Sequence, residues 1–299
     1  MPQATAPFAD TAPRVHSGCP YGAAQPPLNP SILFGLFAAV VAILATVAIE
    51  RLGGRLGGLI ASVPSTIIPA SLGFWWAAQE PAHFQDALFA VPGGMMVSGV
   101  FLYAWRVLPE RLRSASPGRT ILKVTILSLV LWCGCAATLV FCLGLSPLPV
   151  STVGPVLFGL LLALGISACW RPPPAPRGQR KVGLATLAAR GLLAGSAIAV
   201  SVVLAEMGIP LVAGMASVFP AIFLTAMVSV SLSQGEAVQG GAVGPMILGS
   251  SSVCAYALLS IWTYPTFGPA LGVLVSWTGA VLLISVPAWR YLRWRGARA

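Results

Sequence analysis

Two long stretches of the sequence carry almost no charge. Glu206 is the one acidic or basic residue between Gly191 and Gly235, and none occurs between Ala237 and Trp289. Each stretch has room for two membrane-spanning helices, since one such helix needs about 20 apolar residues. The strands of a membrane barrel would instead alternate apolar and polar residues, which these stretches do not do. The sequence therefore predicts an all-α integral membrane protein.

The composition of the whole chain agrees with this fold class. Apolar residues make up 57% of the chain, charged residues make up 8%, and the mean hydropathy is +0.87. In a soluble protein about a quarter of the residues are charged. A net charge of +10 could indicate nucleic-acid binding in a soluble protein, but here the basic residues are spread between apolar segments. We therefore expect the lipid bilayer as a partner, and no nucleic acid.

The apolar segments predict nine membrane-spanning helices. With a cytoplasmic C-terminus, sixteen of the seventeen Lys and Arg residues fall in cytoplasmic segments and only Arg14 falls outside. This asymmetry predicts a bacterial inner-membrane protein whose N-terminus is outside. Tryptophans at the predicted helix ends, among them Trp75, Trp105 and Trp170, are typical of the membrane interface. The predicted helices cover residues 31–49, 56–78, 87–107, 121–145, 150–170, 183–205, 209–233, 240–262 and 267–289.

The chain also contains an internal repeat. Residues 35–50 and 191–206 share five identical residues without a gap, and further identities continue at the same spacing of 156 positions. The first four predicted helices match the last four, and the fifth joins the two copies. An odd number of crossings separates each helix from its equivalent, so a 4+1+4 arrangement of inverted repeats is predicted. The matched pairs include Gly58 with Gly214, Pro64 with Pro220, Ser98 with Ser251, Tyr103 with Tyr256, and Trp132 with Trp277.

These patterns divide the chain into five segments. Residues 1–30 are rich in proline and alanine, and we expect them to form a disordered extension. Residues 31–145 are the first repeat, and residues 183–289 are the second. Residues 146–182 hold the linker helix with a basic cytoplasmic loop, and residues 290–299 form a basic tail.

Each copy has a glycine followed by a proline in its second helix. Gly58 precedes Pro64 in the first copy, and Gly214 precedes Pro220 in the second. Proline removes a backbone donor and interrupts a helix. Symmetric breaks near the middle of a membrane are a recurrent way to build a substrate or ion site. A plain packing kink is the alternative interpretation.

A proline inside a helix frees the carbonyl group four residues before it. The carbonyls expected to be freed here are those of Ile60 and Ala216. A free carbonyl in hydrocarbon is unfavourable unless a polar group or water satisfies it. Ser62 and Ser217 are close enough in sequence to take part, so both are candidate pathway residues.

Two further pairs are candidate pathway residues. Glu50 and Glu206 recur at the ends of equivalent helices, where a cavity-facing carboxyl group could couple transport to protons or cations. An interfacial acid in contact with water is the alternative. Trp132 and Trp277 lie deep in equivalent helices, where they could line a cavity or simply pack.

Patterns of catalytic and metal-binding residues are missing from the sequence. It contains no HExxH, CxxC, GxSxG or Walker motif. Five of the six cysteines lie inside predicted helices and are expected to be buried apolar thiols rather than disulfide or metal-binding residues. The sequence therefore predicts a protein that is not an enzyme and holds no metal or cofactor.

Between Glu50 and Trp76 the chain carries the pattern E-x(7)-G-L-I-A-S-V-P, followed by an apolar stretch that ends in tryptophan. This pattern resembles the small GlpM-like proteins of bacterial inner membranes, and the likeness is strongest over residues 50–105. Those proteins are single four-helix modules with a suggested link to exopolysaccharide production. The resemblance therefore implies a type of membrane module rather than a substrate.

Taken together, these features predict a secondary transporter of a small solute that works by alternating access between the two repeats. The alternative is a non-transporting membrane subunit of an assembly that processes envelope polysaccharide or lipid. A homodimer is compatible with both functions. The sequence specifies neither the solute nor the direction of transport nor the coupling ion.

Overall fold

The computed structural model describes residues 29–52, 63–170, 183–234 and 236–296. Helices make up 88% of the structure, and the described residues contain no strand, which confirms the all-α prediction. In chain order the helices are α1 (Pro30–Leu52), α2 (Ile67–Ala77), α3 (Pro81–Arg111), α4 (Pro117–Leu145), α5 (Val150–Ala168), α6 (Leu184–Glu206), α7 (Pro210–Ala216), α8 (Ala221–Gln234), α9 (Glu236–Ala280) and α10 (Val286–Gly296). A π-helical turn, Val281–Ser285, joins α9 to α10.

Seven helical segments of the described residues are long and apolar enough to cross a membrane. A multi-pass membrane protein is therefore confirmed. α2, with 11 residues, is too short to cross by itself. Of the predicted disordered extension, residues 1–28 lie outside the described part of the chain, and so does the predicted basic loop at 171–182.

The longest apolar segment folds back on itself. Gly268 has φ of +76° and ψ of 166°, a conformation that only glycine adopts readily. Pro269 follows it, and proline is common just after the end of a helix. The hydroxyl oxygens of Thr263 and Ser276 are 2.6 Å apart, whereas a straight helix would separate them by about 20 Å. The two parts of α9 therefore form a helical hairpin.

The backbone turns in the same way at both duplicated prolines, of which Pro220 separates α7 from α8 and Pro64 precedes α2. In the first copy the Ser65 N–H donates to the Val63 carbonyl at 2.8 Å. In the second copy the Ala221 N–H donates to the Phe219 carbonyl at 2.7 Å. Each bond closes a three-residue turn centred on the proline. These residues are equivalent in the repeat, so the break has the same local geometry twice.

α1 and α6, which are equivalent in the repeat, pack directly on each other. A Cβ atom added at Gly35 would lie 2.9 Å from Ala199 Cβ and 2.9 Å from the Gly195 carbonyl oxygen. A Cβ atom added at Gly191 would lie 2.7 Å from Ile43 Cδ1. The contact is reciprocal, because Gly35 is equivalent to Gly191 and Ile43 to Ala199. Residue numbers rise along α1 where they fall along α6, since Gly35 faces Ala199 whereas Ile43 faces Gly191. The two helices are therefore antiparallel.

α3 lies at the centre of the helix bundle, and α5 packs between α3 and α9. In α3, 78% of the most apolar 18-residue window is buried, compared with 17% in α4 and in α5. A Cβ atom at Gly154 would lie 2.6 Å from the Phe89 carbonyl oxygen of α3. A Cβ atom at Gly165 would lie 2.6 Å from Leu248 Cα of α9. The linker helix thus approaches both neighbours at glycines, and Leu161 is its other buried residue.

The tryptophans fall into two groups. Trp170 is 53% exposed and Trp262 is 72% exposed, as expected for residues at a membrane interface. Trp75 and Trp105 are 4% and 1% exposed. These two side chains are buried in the protein core, where Trp75 contacts Phe84 and Trp105 contacts Phe101. That they mark the membrane interface stays a prediction.

Candidate functional site

The broken helix of the second copy presses against α3. A Cβ atom at Gly214 would lie 1.9 Å from the Ala87 carbonyl oxygen, so no other residue fits there without a backbone shift. Ser217, which is buried, donates its hydroxyl proton to the Gly214 carbonyl at 2.7 Å. Pro220 then separates α7 from α8. Three predicted pathway residues are therefore neighbours in a tightly packed break.

The carbonyl expected to be freed by this proline is satisfied within the backbone. The Phe219 N–H donates to the Ala216 carbonyl at 3.0 Å, so the prediction for Ala216 is wrong. A tight turn replaces the lost helical bond. The Val218 carbonyl, by contrast, has its partner on another helix. It accepts a hydrogen bond from the Ser98 hydroxyl of α3 at 3.1 Å. Ile60, the equivalent prediction in the first copy, lies outside the described residues.

Ser98 joins the break to α4. Trp132 Nε1 donates to Ser98 Oγ at 3.0 Å, while Ser98 donates to Val218. The Trp132 ring meets Phe219 edge to face, with the ring centroids 5.2 Å apart. All polar atoms of this group have partners, although the group is buried. We call Ser98, Trp132 and the Val218 carbonyl the Ser98 network.

The equivalent serine in the second copy has no such network. Ser251 is fully buried, and within the described part of the chain its hydroxyl has no hydrogen-bond partner. By the repeat spacing, its expected partners are Trp277 Nε1 and the Ser62 carbonyl. Trp277 is half-buried against the main core, and Ser62 lies outside the described residues. Equivalent positions therefore differ in their hydrogen bonding.

Three hydroxyl groups meet where α2 packs against α9. Ser71 Oγ lies 3.0 Å from the Tyr256 hydroxyl and 2.8 Å from the Tyr264 hydroxyl, and the two tyrosine oxygens are 2.8 Å apart. Ser71 is also 2.9 Å from the Ile68 carbonyl, which can only accept. All three side chains are fully buried. This hydroxyl cluster ties the first copy to the second.

Aromatic rings surround the hydroxyl cluster. Phe84 of α3 stacks on Tyr264 with the centroids 5.4 Å apart, and Trp75 meets Tyr264 edge to face at 5.7 Å. Rings in these arrangements add attraction beyond the area that they bury. The cluster is thus enclosed by side chains of three helices, and water has no open path to it through these rings.

Sequence reasoning missed Arg190 as a functional residue and assigned it to the cytoplasmic face. The structure buries it to 7% exposure in α6. Its Nη1 donates to Thr46 Oγ1 of α1 at 2.7 Å, and its Nε donates to Thr225 Oγ1 of α8 at 3.0 Å. The sequence does place Arg190 inside the predicted helix at 183–205. A charged residue within a membrane helix is a candidate functional residue, and this could have identified Arg190.

Both threonines are oriented to accept from Arg190. The Thr46 hydroxyl donates to the Ala42 carbonyl at 2.8 Å, and the Thr225 hydroxyl donates to the Ala221 carbonyl at 2.9 Å. Each hydroxyl proton is therefore used within its own helix, and the oxygen lone pairs face the guanidinium. Arg190 thus links α6 to one helix of each copy.

A buried amide joins α3, α8 and α9. Gln239 Nε2 donates to the Trp105 carbonyl at 2.6 Å, and the Ser231 hydroxyl donates to Gln239 Oε1. Pro109 lies four residues after Trp105 and has no N–H with which to bond that carbonyl. The glutamine thereby satisfies a backbone group that proline leaves open.

The remaining predicted pathway residues lie apart from these networks. Glu206 is the last residue of α6, and its carbonyl accepts the side-chain amide of Gln79 at 3.0 Å. Its carboxyl group is half-buried. The side chain of Glu50, together with all of Gly58 and Ser62, lies outside the described residues.

A groove of about 540 Å³ runs along the outer surface of α4. Gly134 borders it, and a Cβ atom there would meet nothing within 4 Å. Its lining is almost wholly apolar and consists of Leu127, Val130, Leu131, Gly134, Cys135, Thr138, Leu139 and Cys142.

The cysteines of the described residues are free thiols, as the sequence predicts. The predicted burial is confirmed for Cys169 and Cys254, whereas it is wrong for Cys133 and Cys142, which are exposed on α4 because that helix has an open outer face. Among the described side chains, no three His, Cys, Asp or Glu residues lie together in a way that could hold a metal ion.

No family model, curated protein or solved structure matches this chain. The resemblance of residues 50–105 to GlpM-like proteins therefore stays a prediction.

Proposed function

We propose that this protein is a secondary transporter of a small solute in a bacterial inner membrane. In this proposal two inverted four-helix repeats, joined by α5, expose a central site alternately to the two sides of the membrane. Glu206 and its equivalent Glu50 would couple the cycle to protons or another cation. The N-terminus would be outside and the C-terminus cytoplasmic.

Two features support nine helices in inverted copies. The hairpin at Gly268 turns the last apolar segment into two crossings, and α2 together with the preceding residues 53–66 has the length of one more. The reciprocal contacts of Gly35 and Gly191 are those of helices related by a two-fold axis. An axis of this kind in the membrane plane is characteristic of inverted repeats.

The observation that carries the proposal is the difference between Ser98 and Ser251. A transporter built from inverted repeats changes its open side when the two copies exchange conformations. At any moment equivalent residues must then differ in their contacts. Ser98 has both of its partners, whereas Ser251 is buried without one in the described part of the chain. In the opposite state, Ser251 would bond Trp277 and the Ser62 carbonyl, and Ser98 would lose its bonds.

Two serine variants test this exchange. Ser98→Ala removes a bond from the described state, and Ser251→Ala removes an unsatisfied hydroxyl from it. The first change therefore favours the opposite state and the second favours the described one. Each is expected to shift the ratio of the two states roughly 5–30-fold, since a buried hydrogen-bonding group contributes ~1–2 kcal/mol.

The ratio can be measured by chemical labelling. A single cysteine would replace Ser217 in a chain whose native cysteines have been removed, and the protein would be placed in liposomes. A membrane-impermeant maleimide would then be added on one side or the other. Opposite shifts of the side-dependent labelling in the two alanine variants are the expected result. Shifts in the same direction, or no labelling from either side in any variant, would contradict alternating access.

One observation favours the alternative function. α4 is the helix with the open apolar groove, and Gly134 and Gly144 both face open space there. Small residues on an exposed helix face are typical of helix association in membranes. A membrane subunit that holds an envelope-polysaccharide or lipid-processing assembly together would use such a face, and so would a homodimer.

The native cysteines allow a direct test of this face. Cys133 and Cys142 are exposed on α4. Oxidation in native membranes would cross-link α4 to a second copy or to a partner protein if either covers the groove. Cross-linked products, together with unchanged side-dependent labelling of residue 217 in the two serine variants, would favour the scaffold function over transport.

A further inference from the structure

Two tryptophan rings hold the guanidinium group of Arg295. Its Cζ atom lies 4.6 Å from the centroid of Trp170 and 5.6 Å from the centroid of Trp294. Trp170 follows the end of α5, and Arg295 lies in the last turn of α10. The two rings are 53% and 43% exposed. The cation is therefore held in one place at the surface of the helix bundle.

The junction that carries this cation is itself fixed. The Tyr291 hydroxyl of α10 donates to the Ile166 carbonyl of α5 at 3.1 Å. Cys169, Leu248 and Ala288 form a small buried cluster beneath the junction. The relative position of Trp170 and Arg295 thus depends on packed contacts rather than on the two side chains alone.

The charge of Arg295 is not neutralised by the part of the chain that the structure describes. Its Nε is enclosed and has no hydrogen-bond partner there, and no ion pair forms with the guanidinium. The Nη nitrogens, by contrast, are not enclosed. A guanidinium held in this way presents one edge of N–H donors, which suits the oxygens of a phosphate group.

The surroundings of Arg295 match a lipid more closely than a soluble phosphate. Arg290 and Arg293 are exposed on the same short helix, and Arg293 lies 4.7 Å from the Trp289 ring centroid. Leu160 and Ile166 precede Trp170 in the chain, and both side chains are exposed on α5. Cationic groups and indole rings above an apolar helix face are suited to a headgroup and an acyl chain.

We propose that Arg295, Trp170 and Trp294 bind the phosphate group of an anionic phospholipid, with Arg290 and Arg293 adding attraction at longer range. The acyl chains would lie against the exposed side of α5. The binding site is independent of the transport cycle, so it stands whether or not a solute crosses the membrane.

Lipid binding to the purified full-length protein tests the proposal. Delipidated protein in a mild detergent would be titrated with phosphatidylglycerol, with phosphatidylcholine and with inorganic phosphate, and the bound species counted by native mass spectrometry. Arg295→Gln is expected to weaken phosphatidylglycerol binding roughly fivefold, the usual effect of one basic residue at a membrane surface. Trp170→Leu should weaken it in the same direction. Both variants must first melt at the wild-type temperature without lipid.

Arg119→Gln is the matched control, because it removes the same charge from an exposed position at the start of α4. A site at Arg295 predicts less than a twofold effect in this control. Equal losses for Arg295→Gln and Arg119→Gln would mean diffuse attraction and would overturn the proposal. Equal binding of phosphatidylcholine, or binding of inorganic phosphate that displaces the lipid, would overturn it as well.

If the Arg295 variant melts early, Arg295→Lys provides the second measurement. Lysine keeps the charge but loses the planar group that stacks between the rings. A well-folded Arg295→Lys protein with reduced phosphatidylglycerol binding would support the site. Full retention of binding by this variant would show that only the charge matters, and it would overturn the proposed site between the two rings.

Discussion

Arg190 Nη1 lies 2.7 Å from Thr46 Oγ1, although 144 residues separate them in the chain. A second bond from Arg190 Nε to Thr225 completes the connection of α6 to α1 and α8. A cation buried among helices is unfavourable unless such partners hold it. Arg190 is therefore expected to be a structural centre of the helix bundle.

Arg190→Gln should lower the free energy of unfolding by ~2–4 kcal/mol, because hydrogen bonds to a charged group contribute ~1.5–3 kcal/mol each. Arg190→Lys should lose less, since the charge remains. Unfolding by denaturing detergent in mixed micelles measures both. Arg119→Gln, an exposed change of the same kind, should have an effect within ~0.5 kcal/mol. Wild-type stability of Arg190→Gln would disprove the structural role.

Gly35→Val should destabilise the contact between α1 and α6. The added side chain would meet Ala199 Cβ and the Gly195 carbonyl, both 2.9 Å from its Cβ atom. Overpacking of this kind costs ~1–3 kcal/mol. Gly159→Val is the matched control, because a Cβ atom there meets nothing within 4 Å. Equal melting temperatures for the two variants would show that the helices do not approach so closely.

The hydroxyl cluster predicts an unusual order of stabilities. Three hydroxyl protons serve four contacts, namely the three among Ser71, Tyr256 and Tyr264 and the one to the Ile68 carbonyl. Either Tyr→Phe variant leaves two protons for two contacts, so every remaining contact is satisfied. Ser71→Ala removes three of the four contacts and leaves the two tyrosine hydroxyls with each other and Ser260 as hydrogen-bonding neighbours. It should therefore cost about 1 kcal/mol more than either Tyr→Phe variant, since a buried hydrogen bond contributes ~1 kcal/mol.

Ser71→Ala should therefore be less stable than Tyr256→Phe or Tyr264→Phe, although each of the three variants removes a single oxygen atom. Thermal unfolding of the three purified variants provides the comparison. The reverse order would mean that packing of the rings, rather than the number of hydrogen bonds lost, governs this contact.

Trp132→Phe and Trp277→Phe should differ in the described state. The first change removes the Nε1 donor to Ser98 at 3.0 Å, and it should cost about 1 kcal/mol. The second change affects a half-buried ring at the equivalent position and should cost less. Chemical denaturation of both variants measures the difference, and equal losses would argue against the asymmetry on which the proposed transport cycle depends.

Glu206→Gln should remove the pH dependence of labelling at residue 217. Glutamine resembles the protonated carboxyl group, so this variant at high pH should label like the wild-type protein at low pH. Glu110→Gln, at an exposed position near the end of α3, is the control and should keep the wild-type pH profile. A pH profile unchanged by Glu206→Gln would exclude Glu206 from coupling.

The helices and the proline breaks could be predicted from the sequence because their causes are local. Apolar length determines whether a segment can cross a membrane, and the missing N–H of proline weakens a helix locally, as at Pro220 between α7 and α8. The repeat spacing of 156 pairs Val63 with Phe219 and Ser65 with Ala221, and the turns at these residues are alike. The sequence predicted two helices in the last apolar segment with a break at 263–266, whereas the structure turns a few residues later, at Gly268.

The contacts between helices depended on the tertiary structure. Arg190 could be assigned to the cytoplasmic face until Thr46 and Thr225 were found around it, since burial of a charge is set by neighbours distant in sequence. Ser71 meets Tyr256 and Tyr264 across 185 and 193 residues, and no periodicity indicates such a meeting. The sequence by itself determined which segments are helices and where they break, because those properties arise within a few residues. Only the tertiary structure decided which side chains satisfy one another, because a buried polar group must find its partner in three dimensions.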